Sequence, residues 1–337
     1  MNKKVLVTGS AGFIGMHTVL ALTKAGFEVT GIDNLNTYYS VDLKLARLRE
    51  QGIKTNEIEY NKTLEGTKNI EFVQLDLADA HYIDDLFKAK GFKYVVHLAA
   101  QAGVRYSIEN PHAYIDANVK GFLDILESAR KYKVEHLVYA SSSSVYGLNK
   151  EVPFLESHQT ENQVSLYAAT KKANESMANS YAAVHGLKLS GLRFFTVYGP
   201  YGRPDMAPFK FTKAILKGEA IEVYNNGDLS RDFTYVEDIV EGICKIMENP
   251  PKEDENGNQI YNIGRGEPVG LMDFIKSVEK ACETEAVLKN MPMQKGDVYQ
   301  TYASTEKLAN RVGYKPKTGL DEGLQAFVDW YRGFYGV

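Results

Sequence analysis

Tyr167 and Lys171 stand four residues apart in the run Tyr167-Ala-Ala-Thr-Lys-Lys-Ala-Asn-Glu175. Helical spacing puts both side chains on one face. A phenol with a pKa of about 10 is no base at neutral pH unless positive charge stabilises its phenolate. A neighbouring ammonium supplies such charge, so the pair can move a proton. A surface tyrosine beside an unrelated lysine has the same spacing, and for a lone pair that reading would prevail. Other parts of the chain weigh against it. Ser141-Ser-Ser-Ser144 directly follows an apolar run, at the kind of strand end where open α/β sheets bind ligands. A hydroxyl there can relay a proton, while one or two of the four can simply satisfy backbone groups at a turn. Gly9-Ser-Ala-Gly12-Phe-Ile-Gly15 follows the first apolar run and opens a helical pattern. Glycines at this spacing permit a tight turn and let backbone N–H groups approach a pyrophosphate at the helix N-terminus. Asp33 closes the second apolar run 18 residues beyond Gly15, placed for ribose hydroxyls. An acid there repels the 2′-phosphate of NADP, so NAD is the expected cofactor. Asp76, in Gln74-Leu-Asp-Leu77, is either a contact to the adenine edge or the N-cap of the following helix.

These groups need a scaffold, and the first half of the chain describes one. Val5–Val7, Val29–Ile32, Phe72–Leu75, Tyr94–Val96 and Leu137–Tyr139 read as buried strands. Between them apolar residues recur at helical spacing from Phe13, from Ile83 to Phe87, and from Val119 to Ala129. Strands alternating with crossover helices make an α/β fold with a doubly wound parallel sheet. Residues 34–69 interrupt the rhythm with Lys, Asn and Glu and read as a polar surface insertion. Beyond about residue 190 proline and glycine become frequent. The expected division is residues 1–190 for the cofactor and residues 191–337 for a smaller substrate-binding lobe. Its boundary is loose, with the chain crossing between the two.

Composition sets outer limits. Over 337 residues the chain is 44% hydrophobic and 24% charged, with a net charge of −4. That suits a globular enzyme and not a general nucleic-acid binder, so any anionic ligand must be met by local cations and backbone donors. Cys244 and Cys282 have no spacing that suggests a metal site or a disulfide framework. No stretch approaches a signal-peptide core or a membrane span, and the expected location is cytoplasmic.

The glycine spacing, His97-Leu-Ala-Ala100, the serine run and Tyr167-x-x-x-Lys171 together resemble the extended short-chain dehydrogenases/reductases. The resemblance runs from residue 3 to residue 335. It implies a Rossmann-type domain in which Phe13, Ile14, Asn34 and Leu77 join Gly9, Gly12, Gly15, Asp33 and Asp76 around NAD. Ala99, Ala100 and Gln101 would line the nicotinamide side, Asn118 would support the site, and Arg105 would add a cation near the cofactor edge. Counted back from Val145-Tyr-Gly147, the family's catalytic serine or threonine falls on Ser142, with Ser143 and Ser144 as sugar contacts. Such enzymes commonly form homodimers through a four-helix bundle, here from the helices around Pro111–Arg130 and Leu166–Val184.

Three later segments, Arg193–Ala207, Arg231–Ile239 and Met291–Asp297, resemble UDP-glucuronate 4-epimerases more closely than UDP-glucose epimerases. By that resemblance Thr196 and Arg203 reach the sugar carboxylate, Arg231 the diphosphate and Asp297 the ribose, while Val223 and Tyr224 lie along the uracil. A guanidinium fork is a geometrically apt carboxylate partner. The implied reaction inverts C4 of a UDP-sugar through a transient 4-ketone, with Tyr167 moving the proton through or beside Ser142. Oxidation at C4 makes the uronate a β-keto acid that can lose carbon dioxide, and relatives that decarboxylate carry a glutamate where this chain has only serines. The alternatives are a UDP-N-acetylglucosamine or UDP-glucose 4-epimerase and, further off, a UDP-glucuronate decarboxylase. Outside catalysis stands a redox-sensing dinucleotide-binding protein, a class that usually lacks the tyrosine–lysine pair kept here.

Overall fold

The computed structural model describes residues 3–292 and 299–337. The chain forms two compact units. One comprises Met1–Asn149, Gln159–Arg193 and Val240–Tyr261, the other Lys150–His158, Phe194–Ile239 and Asn262–Val337.

The first unit is built on a sheet of β1 (Lys4–Thr8), β2 (Glu28–Asp33), β3 (Thr63–Glu65), β4 (Ile70–Gln74), β5 (Tyr94–His97), β6 (His136–Ser142) and β7 (Leu189–Phe194). Its spatial order is β7-β6-β5-β1-β2-β4-β3, with the strand Asn258–Ile263 beyond β7. β1 pairs in parallel with β2 on one side and β5 on the other, and β5 with β6. The carboxyl ends of β1, β5 and β6 therefore share one edge, at the point where the chain's direction of winding switches. Val5, Leu6 and Val7 are wholly buried, as a central strand covered on both faces requires. Crossovers are made by α1 (Phe13–Lys24), α2 (Val41–Glu50), α3 (Ala80–Lys90), α4 (Tyr106–Glu109), α5 (Pro111–Tyr114), α6 (Gly121–Lys131) and α7 (Leu166–His185), with a π-helical turn at Ile115–Lys120. One core cluster joins Leu6, Val95 and Leu137 of the sheet to Phe122, Ile125, Leu126 and Ala129.

The insertion at 34–69 departs from the surface feature its composition predicts. It supplies α2, which buries Leu43, Lys44, Ala46, Arg47 and Leu48, and β3, which pairs antiparallel with β4. The reason is visible in the residues. Two of the five buried positions on α2 are cations, so an apolar count misses the inward face.

In the second unit Thr196–Tyr198 pairs in parallel with Ser230–Tyr235, which also pairs with Pro268–Gly270 and Gln300–Thr301. Ala220–Tyr224 pairs with Val287–Met291. Its core is aromatic: Phe233 stacks on Phe274 at 4.0 Å, and Phe209, Phe327 and Tyr331, packed on one another, belong to the same cluster.

Candidate active site

The turn after β1 folds tightly on itself. Gly9 has φ +73°, and Gly12 N–H donates to the Gly9 carbonyl at 2.9 Å. A Cβ on Gly12 would stand 2.8 Å from that oxygen, and one on Gly15 would strike it directly. Helix α1 then starts at Phe13 with no side-chain cap and no acid in its first turn. The N–H groups of its first turn, those of Phe13 and Ile14 among them, are left to an external anion. The Ser10 hydroxyl in the loop is buried without a partner among the described residues. This cradle fits a dinucleotide pyrophosphate.

Around it lie the other expected cofactor residues. Asp33 ends β2, half-buried, its Oδ1 accepting Leu35 N–H at 2.9 Å. Asn34 donates to Asp76 Oδ2 at 2.8 Å, while Asp76 Oδ1 accepts Ala78 N–H. Asp76 thus closes a local turn. The N-cap position of α3 belongs to Asp79, which corrects the capping alternative. Leu77 is buried in the core cluster. Lys44, absent from the expected set, is buried, donates to the carbonyl and Oδ1 of Asn36 at 2.8 Å, and has its pKa lowered by burial against the opposing pull of Asp33.

Asn118 ties the next loop to α7. Its Oδ1 accepts Gln101 N–H at 2.7 Å, and its Nδ2 donates to the Gln101 carbonyl and to Thr170 Oγ1, both at 3.0 Å. Ala99 N–H donates to Thr8 Oγ1 at 3.0 Å, and a Cβ on Gly9 would stand 2.9 Å from that same nitrogen. The loop Ala99-Ala100-Gln101 is thereby set against the glycine turn. Beneath it His97 sits 2.9 Å from Thr8 Oγ1, and burial, helped by the charge of Lys171, depresses its pKa to about 3. It is a neutral imidazole at working pH. Arg105 is exposed at the start of α4.

Tyr167 and Lys171 lie on α7, whose N-cap Ser165 accepts Ala168 N–H. The Tyr167 ring meets Tyr114 edge-on at 6.2 Å. Lys171 is buried, donates to the Ala140 carbonyl at 2.8 Å, and burial lowers its pKa to about 8. That bond fixes α7 to the end of β6, the strand that carries the serines. Ser142 is buried, and its Oγ accepts Ser144 N–H at 3.1 Å, which leaves the hydroxyl hydrogen to be donated elsewhere. Ser143 and Ser144 enter the short helical turn Ser143–Tyr146 and stay half-buried. Ser141 turns inward instead, donating to Glu175 Oε1 at 2.7 Å. Glu175 also takes a two-point bond from Arg193, at 2.8 and 2.9 Å, and that guanidinium lies 4.8 Å over the Tyr146 ring. Neither residue was in the expected set. Glu175 falls eight residues after Tyr167, on the same helical face, and that spacing was the available signal.

The remaining expected residues belong to the second unit. Thr196 begins the strand Thr196–Tyr198, and Arg231 lies on the partner strand, donating to the Ser230 and Tyr299 carbonyls. The next residue, Asp232, is buried and fastens that strand by accepting the N–H groups of Arg265, Gly266 and Ala303 at 2.8–3.1 Å. Arg203 grips Asp205 through two nitrogens, at 3.0 and 2.5 Å. Val223 is wholly buried with Ile221 and Ile275. Tyr224 beside it is half-buried and bonds Glu222. Asp297 lies outside the described residues.

Comparison with known proteins follows the same lines. Residues 5–264 match the family described as NAD dependent epimerase/dehydratase. UDP-glucuronate 4-epimerase 1 of Arabidopsis thaliana is 44% identical over 98% of this chain and 77% of its own length. Among solved structures, UDP-glucuronic acid 4-epimerase of Bacillus cereus, in complex with UDP-glucuronic acid and NAD, superposes with a TM-score of 0.87. It is 30% identical over 98% of this chain and all of that one. UDP-glucose 4-epimerase of Thermotoga maritima, with UDP-glucose, gives 0.84 at 29% identity over 98% and 99%. The cofactor is NAD, and the chain belongs to the NAD-dependent epimerase/dehydratase family.

Proposed function

We propose that this enzyme, an NAD-dependent UDP-sugar 4-epimerase, interconverts UDP-glucuronate and UDP-galacturonate. Arg203 carries the reading. Its guanidinium pairs with the Asp205 carboxylate through two nitrogens, the two-point mode in which a guanidinium also takes a uronate. A substrate carboxylate would displace Asp205 from the Nε–Nη2 edge or pair with the other edge of the guanidinium. NAD, when bound, would supply the hydride acceptor and donor for C4. Tyr167, as phenolate beside the Lys171 ammonium, takes the C4 hydroxyl proton and later gives it back, with Ser142 donating a hydrogen bond to the reacting oxygen. The run Ser141–Ser144 offers no carboxylate of its own, which favours inversion over loss of carbon dioxide.

The test compares UDP-glucuronate, UDP-glucose and UDP-N-acetylglucosamine with native protein and Arg203→Ala. Native protein should prefer UDP-glucuronate. The variant should lose roughly ten- to a hundredfold in kcat/KM for it, the cost of one charged hydrogen bond. With its carboxylate loosened, the 4-keto intermediate should also leak a UDP-pentose by decarboxylation. Equal turnover of the three sugars by native protein, or a variant with normal uronate turnover and no pentose, removes the assignment.

A further inference from the structure

The glycine turn is held from behind by the insertion. Gln51 Nε2 donates to the Ser10 carbonyl at 2.9 Å, and Arg47 Nη1 donates to the Ala11 carbonyl at 3.1 Å. Ser10 and Ala11 are the two residues between the first two glycines of the loop. In a planar trans peptide the carbonyl and the following N–H point opposite ways. Drawing these carbonyls toward α2 therefore turns the Ala11 and Gly12 N–H groups away from α2, and the Gly12 N–H closes on Gly9. Both anchors are fully buried. Arg47 is fixed further by Tyr39, whose hydroxyl accepts from Nη1 at 2.5 Å and whose ring lies 5.2 Å from the guanidinium. Gln51 also reaches back to the Arg47 carbonyl at 3.1 Å, so the two anchors brace one another. A guanidinium buried this close to a phosphate cradle is little screened by salt and favours an anion there.

We propose that Arg47 and Gln51 are positioning residues for the dinucleotide pyrophosphate. They set the glycine loop in its phosphate-binding shape before the cofactor arrives, and the buried charge of Arg47 helps to hold the anion once bound. The insertion thereby acts as a retention device. A cofactor that is reduced and reoxidised within each turnover must not leave in between, and a preformed, cation-backed cradle slows its departure. The inference rests on the cofactor alone and stands whichever sugar is the substrate.

Arg47→Met and Gln51→Leu test it through titration with NAD and with ADP-ribose, which keeps the pyrophosphate but lacks the nicotinamide. Arg47→Met should weaken both ligands by the same factor, roughly ten- to a hundredfold. Gln51→Leu keeps the charge and should weaken both less. Melting temperatures with and without NAD separate this from plain scaffold loss. The NAD-induced rise should shrink in both variants, whatever happens to the melting point without ligand. The proposal fails if both variants bind NAD within about twofold of native, or if the loss is confined to NAD and spares ADP-ribose. If Arg47→Met does not fold, Gln51→Leu decides alone by the same two readings.

Discussion

Lys171 carries its ammonium where burial disfavours it, with a pKa near 8 in place of the usual 10.5. At neutral pH the charge is still there to stabilise the Tyr167 phenolate. As pH climbs through about 8 it is lost, and kcat should fall by about tenfold per pH unit on the far limb of the profile. His97, neutral above pH 3 or so, contributes nothing to that limb. The stability sign is opposite. A lysine whose folded pKa lies below its unfolded value penalises folding fully below pH 8, and the penalty eases as pH rises toward 10.5. Rate and melting temperature measured across this window should therefore part company, and a melting temperature that falls in step with the rate would point to unfolding instead. Single residues were also where the amino-acid pattern spoke most clearly. Tyr167, Lys171 and the glycines announce themselves by fixed local spacing. Arg203 and Arg231 needed the resemblance to be singled out, and the Arg47 and Gln51 bonds to the glycine loop are set by long-range packing that no local period encodes.

Among the elements, α7 does the most for the site. One face presents Tyr167, Lys171 and Glu175 in successive turns, and the last two bond β6 while Glu175 also bonds β7 through Arg193. Because Glu175 and Arg193 are both buried, removing either partner strands a charge. Glu175→Ala should cost about 3–5 kcal/mol of folding stability, and adding Arg193→Met should recover part of that. Chemical denaturation of the single and double variants checks both. The helix itself was legible from its period, but its cross-links were not, since Arg193 lies on a separate strand 18 residues further on. Helix α2 shows the reverse failure: its partners are neighbours in space, yet its inward face is too charged to read as a core.

At the scale of the whole molecule, α6 and α7 pack together, with Tyr181 donating to Glu127 between them, while Leu123 of α6 and Val184 of α7 stay exposed. Two such helices per chain can build a bundle between copies, as the resemblance implies. Light scattering at micromolar concentration should give a mass near twice 37.7 kDa, and a mass of one chain would rule the arrangement out. The alternating first half of the sequence foretold its sheet because each parallel strand there is followed by its own crossover. The second unit was harder to read, its strands being short and its core made of aromatic rings from distant segments. The three-residue β3 carries one last consequence. A parallel sheet ending at β4 would present a bare row of backbone donors and acceptors, a template on which another chain can grow. β3 lies across that row in the opposite sense and is too short to seed a further strand. Trimming residues 34–69 to streamline the protein would uncover that border, and the shortened chains would be prone to zip into aggregates edge to edge.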